Sequence, residues 1–171
     1  MRDLAQGVTR FQRDVHPAKA ELFAHLAENH MPHTLFIGCS DARVVPELIT
    51  ASEPGELFVV RTAGNLVPPH APGPDAVAAA IEYAVAVLGV SDIVVCGHSG
   101  CGAVTALAEA HDLRGVPAVA EWLRHAGASR ARTGARGDVA ALVTLHGRVY
   151  DIATGGVLNV GAEAHAAPFA A

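Results

Sequence analysis

Three cysteines among 171 residues cannot all be paired within one chain, so at least one is left outside any intrachain disulfide, and a stapled scaffold is disfavoured. Long apolar runs are also lacking. The longest, Ala76 to Val90, is broken by Glu82 and falls short of the roughly 20 residues that a membrane-spanning helix requires. Positive charge is scarce as well: 12 Lys and Arg face 17 Asp and Glu, giving a net charge of −5 and a pI near 6.0. This balance argues against nucleic acid as a partner, because such binding depends on clustered positive charge. Lys19 is the only lysine, a compositional bias that we do not read as functional. The opening residues MRDLAQGVTRFQRD carry charges where a secretory signal has its apolar centre, so a cytoplasmic location is expected.

The chain is rich in apolar residues, at 51% with a mean hydropathy of +0.30, which suggests that some apolar surface is hidden in a homodimer or higher homo-oligomer. The length suits a single domain, expected over 1–171. Apolar segments alternate in character. Pro17 to His30 places Leu22, Phe23 and Leu26 at helical spacing and ends at Met31-Pro32. Strands are expected at Thr34 to Gly38, Glu56 to Arg61 and Asp92 to Cys96, short continuous apolar runs of the kind that form buried parallel sheets. Between the last two lie Pro68, Pro69, Pro72 and Pro74, then an apolar crossover helix with Pro74 in its first turn and Gly89 as its cap. After Trp122, Gly127 to Asp138 reads as a link in which Arg130, Arg132 and Arg136 are solvated, followed by two β-like runs around Ala153 to Gly156 that form an edge hairpin. The expected architecture is therefore α/β, three layers with a central, mostly parallel β-sheet of four to five strands flanked by helices. Within it, 1–30 is a helical arm, 34–110 the core, 127–138 a flexible link and 139–160 the terminal strands.

Two segments carry candidate chemistry, TLFIGCSDARVVPE and DIVVCGHSGCGAV, each reading as strand, turn, helix. Cys39, His98 and Cys101 form a borderline-soft ligand set that suits Zn²⁺, and three protein ligands leave a fourth tetrahedral position for chemistry. If the first and third strands are neighbours, their C-terminal ends bring all three residues to one crevice. Cys101 opens the helix CGAVTALAEA, whose dipole favours the thiolate. Asp41 and Arg43 follow Cys39 at alternate positions, so their side chains project to one side and can pair beside the metal. Cys96, inside the third strand, is expected in the core. Tyr83 and Leu88 belong to an apolar stripe of core or dimer surface, and His33, His70 and His146 to the surface or to hydrogen bonds.

In order, Cys39-Ser40-Asp41-Ala42-Arg43-Val44, Arg61-Thr62-Ala63-Gly64-Asn65, Cys96-Gly97-His98-Ser99-Gly100-Cys101-Gly102 and Gly147-Arg148-Val149-Tyr150-Asp151 resemble the β-class carbonic anhydrases, over about Gly7 to Val157. The resemblance implies reversible hydration of carbon dioxide to bicarbonate and a proton, by attack of zinc-bound hydroxide. It implies zinc ligands Cys39, His98 and Cys101, and catalytic roles for Asp41 and Arg43. In the family the carboxylate at Asp41 either takes the fourth zinc position or turns to the arginine and admits water. Leu4 to Val15 resembles the arm that clasps a neighbouring subunit. Some members bind bicarbonate at a second pocket built from a tryptophan, an arginine like Arg61 and a tyrosine like Tyr150; here Phe36 stands at the tryptophan position. A helical stretch usual before the final strands is replaced by the Gly127 to Asp138 link. Two alternatives stay open: hydrolysis of carbonyl sulfide or carbon disulfide on the same site, and a non-catalytic, zinc-stabilised module linked to anion transport, against which the intact Asp41 and Arg43 speak.

Overall fold

The structure is a computed structural model that describes residues 3–69, 71, 73, 75–126, 144–159 and 167–168, with the backbone alone for 144–146 and 167–168. Two compact units are distinguished, Met1–Met31 and Pro32–Ala171. In the first, helix α1 (Leu4–Arg10) is capped by Asp3, whose carboxylate accepts from the Ala5 N–H at 2.9 Å. It widens into a π-type turn over Phe11–Val15. A 3₁₀ turn at Pro17–Lys19 leads into α2 (Ala20–Glu28). The helix expected over Pro17 to His30 is thus shorter at both ends. At Asn29 the backbone turns extended, and its side-chain amide donates to the His25 carbonyl at 3.0 Å, taking over an orphan acceptor. Phe11, His16 and Phe23 cluster, with His16 stacked on Phe23 at 5.1 Å between ring centres. No described residue of this unit is buried.

The second unit is built on one sheet in the order β2-β1-β3-β4-β5-β6. Its strands are β1 (Thr34–Cys39), β2 (Leu57–Thr62), β3 (Asp92–His98), β4 (Thr144–Tyr150), β5 (Val157–Asn159) and a two-residue addition, β6 (Ala167–Pro168). The first four pair in parallel, in registers such as Phe36 with Val59 and Phe36 with Val94, while β5 and β6 run antiparallel. The expected α/β architecture, a mostly parallel central sheet flanked by helices, is what is found. β1 lies in the middle of the parallel strands and is buried on both faces from Leu35 onward, which explains its unbroken apolar sequence. β1 and β3 run one and two residues past the expected ends, so that Cys39 and His98 are the last residues of their strands.

Helices α3 (Pro46–Ile49), α4 (Ala76–Glu82), α5 (Gly102–Ala108) and α6 (Pro117–Leu123) complete the unit. The crossover helix α4 starts from Asp75, whose side chain accepts from Val77 N–H at 2.9 Å, and it continues as a wider turn through Tyr83–Val87. Pro74, expected in the first turn, lies outside the described residues. Gly89 follows the helix with φ of +69°, the left-handed conformation that glycine adopts without a Cβ penalty. Leu35, Ile37, Ala84, Val90 and Ile93 form the core cluster, with Leu88 packed against it, whereas Tyr83 and Val87 on the outer side of the turn stay exposed. Cys96 is buried in β3 as expected. β4 and β5 form the expected hairpin, closed by Asp151 N–H to Gly156 carbonyl at 2.8 Å. The link at 127–138 and His70 lie outside the described residues. Among the described residues no helix is long and apolar enough to cross a membrane.

Candidate metal centre

Parallel pairing of β1 with β3 sets their C-terminal ends side by side, and there the structure brings Cys39, His98 and Cys101 together. Their ligand atoms lie within 4.8 Å of one another and all three residues are buried. Cys39 Sγ and Cys101 Sγ face each other at 3.9 Å, although the residues are 62 apart in the chain. The His98 ring is oriented by its own loop: Nδ1 donates to the Ser99 carbonyl at 3.0 Å, which leaves Nε2 as the lone-pair nitrogen beside the two sulfurs. That nitrogen is buried and has no hydrogen-bond partner, and an orphaned buried acceptor is costly unless something fills the position.

Burial pushes the Cys101 thiol up, as does neighbouring Cys39, against the opposing pull of the Val104 and Ala103 N–H groups. The helix start was expected to favour the thiolate; those N–H groups do act in that direction, but loss of water around the sulfur outweighs them. Cys101 is the residue immediately before α5, which spans Gly102–Ala108. Two buried sulfurs and an unpartnered imidazole nitrogen, converging without a positive charge among them, fit a soft divalent cation such as zinc.

Asp41 and Arg43 meet as the alternation predicted. Arg43 Nε donates to Asp41 Oδ1 at 2.9 Å and Nη2 to Oδ2 at 2.6 Å, while the Arg43 N–H donates to Oδ1 at 3.0 Å. This two-pronged pair holds the Asp41 carboxyl far below the usual carboxylate range. Oδ2 lies 3.8 Å from His98 Nε2, so the carboxylate borders the ligand cluster while its strongest bonds go to Arg43. Arg43 Nη2 also donates to the Gly100 carbonyl at 3.1 Å, tying the Cys39 loop to the His98 loop.

A family model described as carbonic anhydrase matches residues 34–141. A carbonic anhydrase of Pseudomonas aeruginosa is 60% identical over 135 residues, which cover 79% of this chain and 61% of that protein. Carbonic anhydrase 1 of Escherichia coli O157:H7 is 46% identical over 136 residues, covering 80% and 62%. The solved structure of the β-carbonic anhydrase CcaA has a TM-score of 0.87 at 32% identity, over 98% of this chain and 91% of that one. The chain belongs to the β-carbonic anhydrase family. It spans about three fifths of the length of these two curated relatives. A chain from the two tetrameric β-carbonic anhydrases of Sordaria macrospora matches with a TM-score of 0.64 at 28% identity, over 97% of this chain and 94% of its own.

Around this β-carbonic anhydrase centre the structure adds supports that the motifs did not reveal. Ser99 N–H donates to the Tyr150 carbonyl at 2.9 Å, and Ser99 Oγ accepts from Ile152 N–H at 3.0 Å, fastening the His98 loop to the end of β4. Gly64, with φ of +71°, lets the Ala63–Asn65 turn pack closely on α5: a Cβ there would lie 3.2 Å from that of Ala103. Trp122 Nε1 donates to the Ala63 carbonyl at 2.8 Å. Spacing within a motif carries no signal for these bonds, which join segments far apart in sequence.

Proposed function

We propose that this chain catalyses the reversible hydration of carbon dioxide to bicarbonate and a proton at a zinc held by Cys39, His98 and Cys101, with Asp41 and Arg43 as the catalytic pair. The observation that carries the reading is the Asp41 carboxylate, gripped on two sides by Arg43 yet 3.8 Å from the unpartnered nitrogen of His98. Zinc, when bound, supplies the Lewis acidity that brings ionisation of water close to neutral pH. Asp41 accepts a hydrogen bond from the nucleophilic water and aims its lone pair, a positioning role that its ionised state suits. Arg43 keeps the carboxylate in that place and is the reason it stays ionised. Asp41 is also the fourth candidate ligand, since it can take the remaining metal position when it leaves Arg43.

The relatives named carbonic anhydrase and the match to CcaA support carbon dioxide as the substrate, and the tetrameric relatives support a homo-oligomer. A reducing, cytoplasmic setting completes the reading, supported by three cysteines that are all free thiols. Stopped-flow hydration of carbon dioxide by the zinc-loaded chain tests it. The parent turns over, and Asp41→Ala retains zinc but loses most activity. Unchanged turnover in that variant would sink the role of Asp41, and turnover of carbonyl sulfide in place of carbon dioxide would reassign the substrate.

A further inference from the structure

One side chain reaches the metal-bearing loop from a neighbouring strand without belonging to it. Arg61, on β2, directs three separate N–H bonds to three main-chain carbonyls: Nε to Cys39 at 3.0 Å, and Nη2 to Asp41 at 2.6 Å and to Val44 at 2.8 Å. These carbonyls bracket the turn that presents Cys39, Asp41 and Arg43. The Asp41 carbonyl also receives the Val44 N–H at 3.0 Å, so Arg61 grips the turn at the acceptor that closes it. The main chain enters the turn fixed as well, because Ser40 N–H continues the β1–β2 ladder to the Thr62 carbonyl at 2.9 Å.

We propose that Arg61 is a positioning residue of the metal centre: its guanidinium fixes the carbonyls of the Cys39–Val44 turn and thereby sets where the Cys39 sulfur and the Asp41 carboxylate stand. This rests on the zinc reading above and deepens it. Rotating a peptide plane in the turn moves the side chains on both of its flanks, and Arg61 holds the planes after Cys39, Asp41 and Val44. The rigid fork matters, since a planar guanidinium offers donors in fixed directions, whereas the lysine ammonium is a single point on a flexible stem. Arg43 acts on the carboxylate itself and Arg61 on the chain that carries it, so the two arginines work from opposite sides of the same residue.

The test compares the parent with Arg61→Gln and Arg61→Lys in three measurements. Zinc affinity is read by chelator competition, kcat and KM by carbon dioxide hydration, and amide hydrogen exchange at Val44 in the metal-free chain. Loss of an outer support of this kind is expected to lower zinc affinity and kcat by roughly 10- to 100-fold, with KM little changed and Arg61→Lys recovering only part of the loss. Exchange at Val44 is expected to quicken in both variants, a readout that does not depend on metal. Parental zinc affinity, kcat and Val44 exchange in a folded variant would overturn the proposal, even if thermal stability fell. Should Arg61→Gln not fold, Arg61→Lys decides by the same criteria. A parent that binds no zinc or hydrates no carbon dioxide would sink the proposed function, while quickened Val44 exchange would still show that Arg61 holds the turn. An active parent with unaltered variants would sink the Arg61 role alone.

Discussion

The two loops that build the centre are held in different ways. The Cys39–Val44 loop is fixed by main chain where it leaves β1, through Ser40 N–H to the Thr62 carbonyl, and beyond that by two long side chains: Arg61 from the edge strand takes its carbonyls, and Arg43 clamps its carboxylate. The His98–Cys101 loop relies mostly on shorter ties: Ser99 N–H to the Tyr150 carbonyl at the end of β4, Ile152 N–H to Ser99 Oγ just beyond it, and Thr105 N–H to the Cys101 carbonyl at 2.9 Å, with Arg43 the one long side chain, on the Gly100 carbonyl. A loop fixed by backbone pairing moves only if strands move. One fixed by a few long side chains can shift when a single bond is exchanged. The Asp41 carboxylate is on the second kind of support, and His98 and Cys101 are on the first.

The largest expected effect removes that contrast altogether. His98→Ala, Cys101→Ser and Cys39→Ser take a ligand from one loop or the other, and each should lower zinc affinity by more than the roughly 100-fold that outer supports are worth, with hydration lost in step. Zinc content after dialysis and stopped-flow rates check this; a variant that kept both would remove that residue from the ligand set. Next comes Arg43→Gln, which cuts the tie to Gly100 and frees the carboxylate. Activity should fall by about 10- to 100-fold. Because Arg43 is what lowers the Asp41 carboxyl, its pKa should rise toward the ordinary value, which NMR titration of that carboxyl checks.

Smaller effects probe the His98–Cys101 loop. Ser99→Ala leaves Ile152 N–H without its acceptor and should cost about 1 kcal/mol, a fall of roughly 2–4 °C in Tm by calorimetry, with the Asp41 titration unmoved. A shifted titration would show that the Arg43 bond to the Gly100 carbonyl carries the change from one loop to the other. The smallest change is expected from Asp151→Asn. Asp151 accepts from Thr154 Oγ1 at 2.7 Å and Thr154 N–H at 2.8 Å, which hold its carboxyl below the usual range, helped by Ser99. Its folded pKa thus lies below the unfolded value of about 3.9, so the stability it contributes is present above that pH and is lost as pH falls through the folded value. The variant should be slightly less stable at neutral pH and show a flatter loss of Tm below about pH 4.

The convergence of Cys39, His98 and Cys101 and the parallel strands were legible because each rests on a local pattern: Leu35, Phe36 and Ile37 are apolar in succession since β1 is covered on both faces, and Cys39 follows where the strand ends. The extension of β3 through Gly97 to His98 was less so. Glycine there reads as a turn, yet Gly97 is paired with Val149 inside the ladder, and a Cβ there would make only ordinary contact with Asn65 Oδ1 at 3.6 Å. Arg61 was legible only as an arginine of the family pattern. Its use emerges 22 residues from Cys39, on carbonyls that no residue type announces. The state of Cys101 also needed the structure, because the helix start is visible in sequence and the depth of burial is not.

Cys39 and Cys101 lie 62 residues apart and meet only when β1 has paired with β3 across the crossover that contains β2 and α4. A knuckle with all its ligands in one short loop can capture metal before the rest of a chain has folded. Here the loop to be closed is long and its entropy must be met by sheet pairing first, so capture of the proposed zinc would belong to the end of folding. The appearance of the metal-binding signal in a refolding experiment would then be a clock for the assembly of the sheet, lagging behind helix formation rather than leading it.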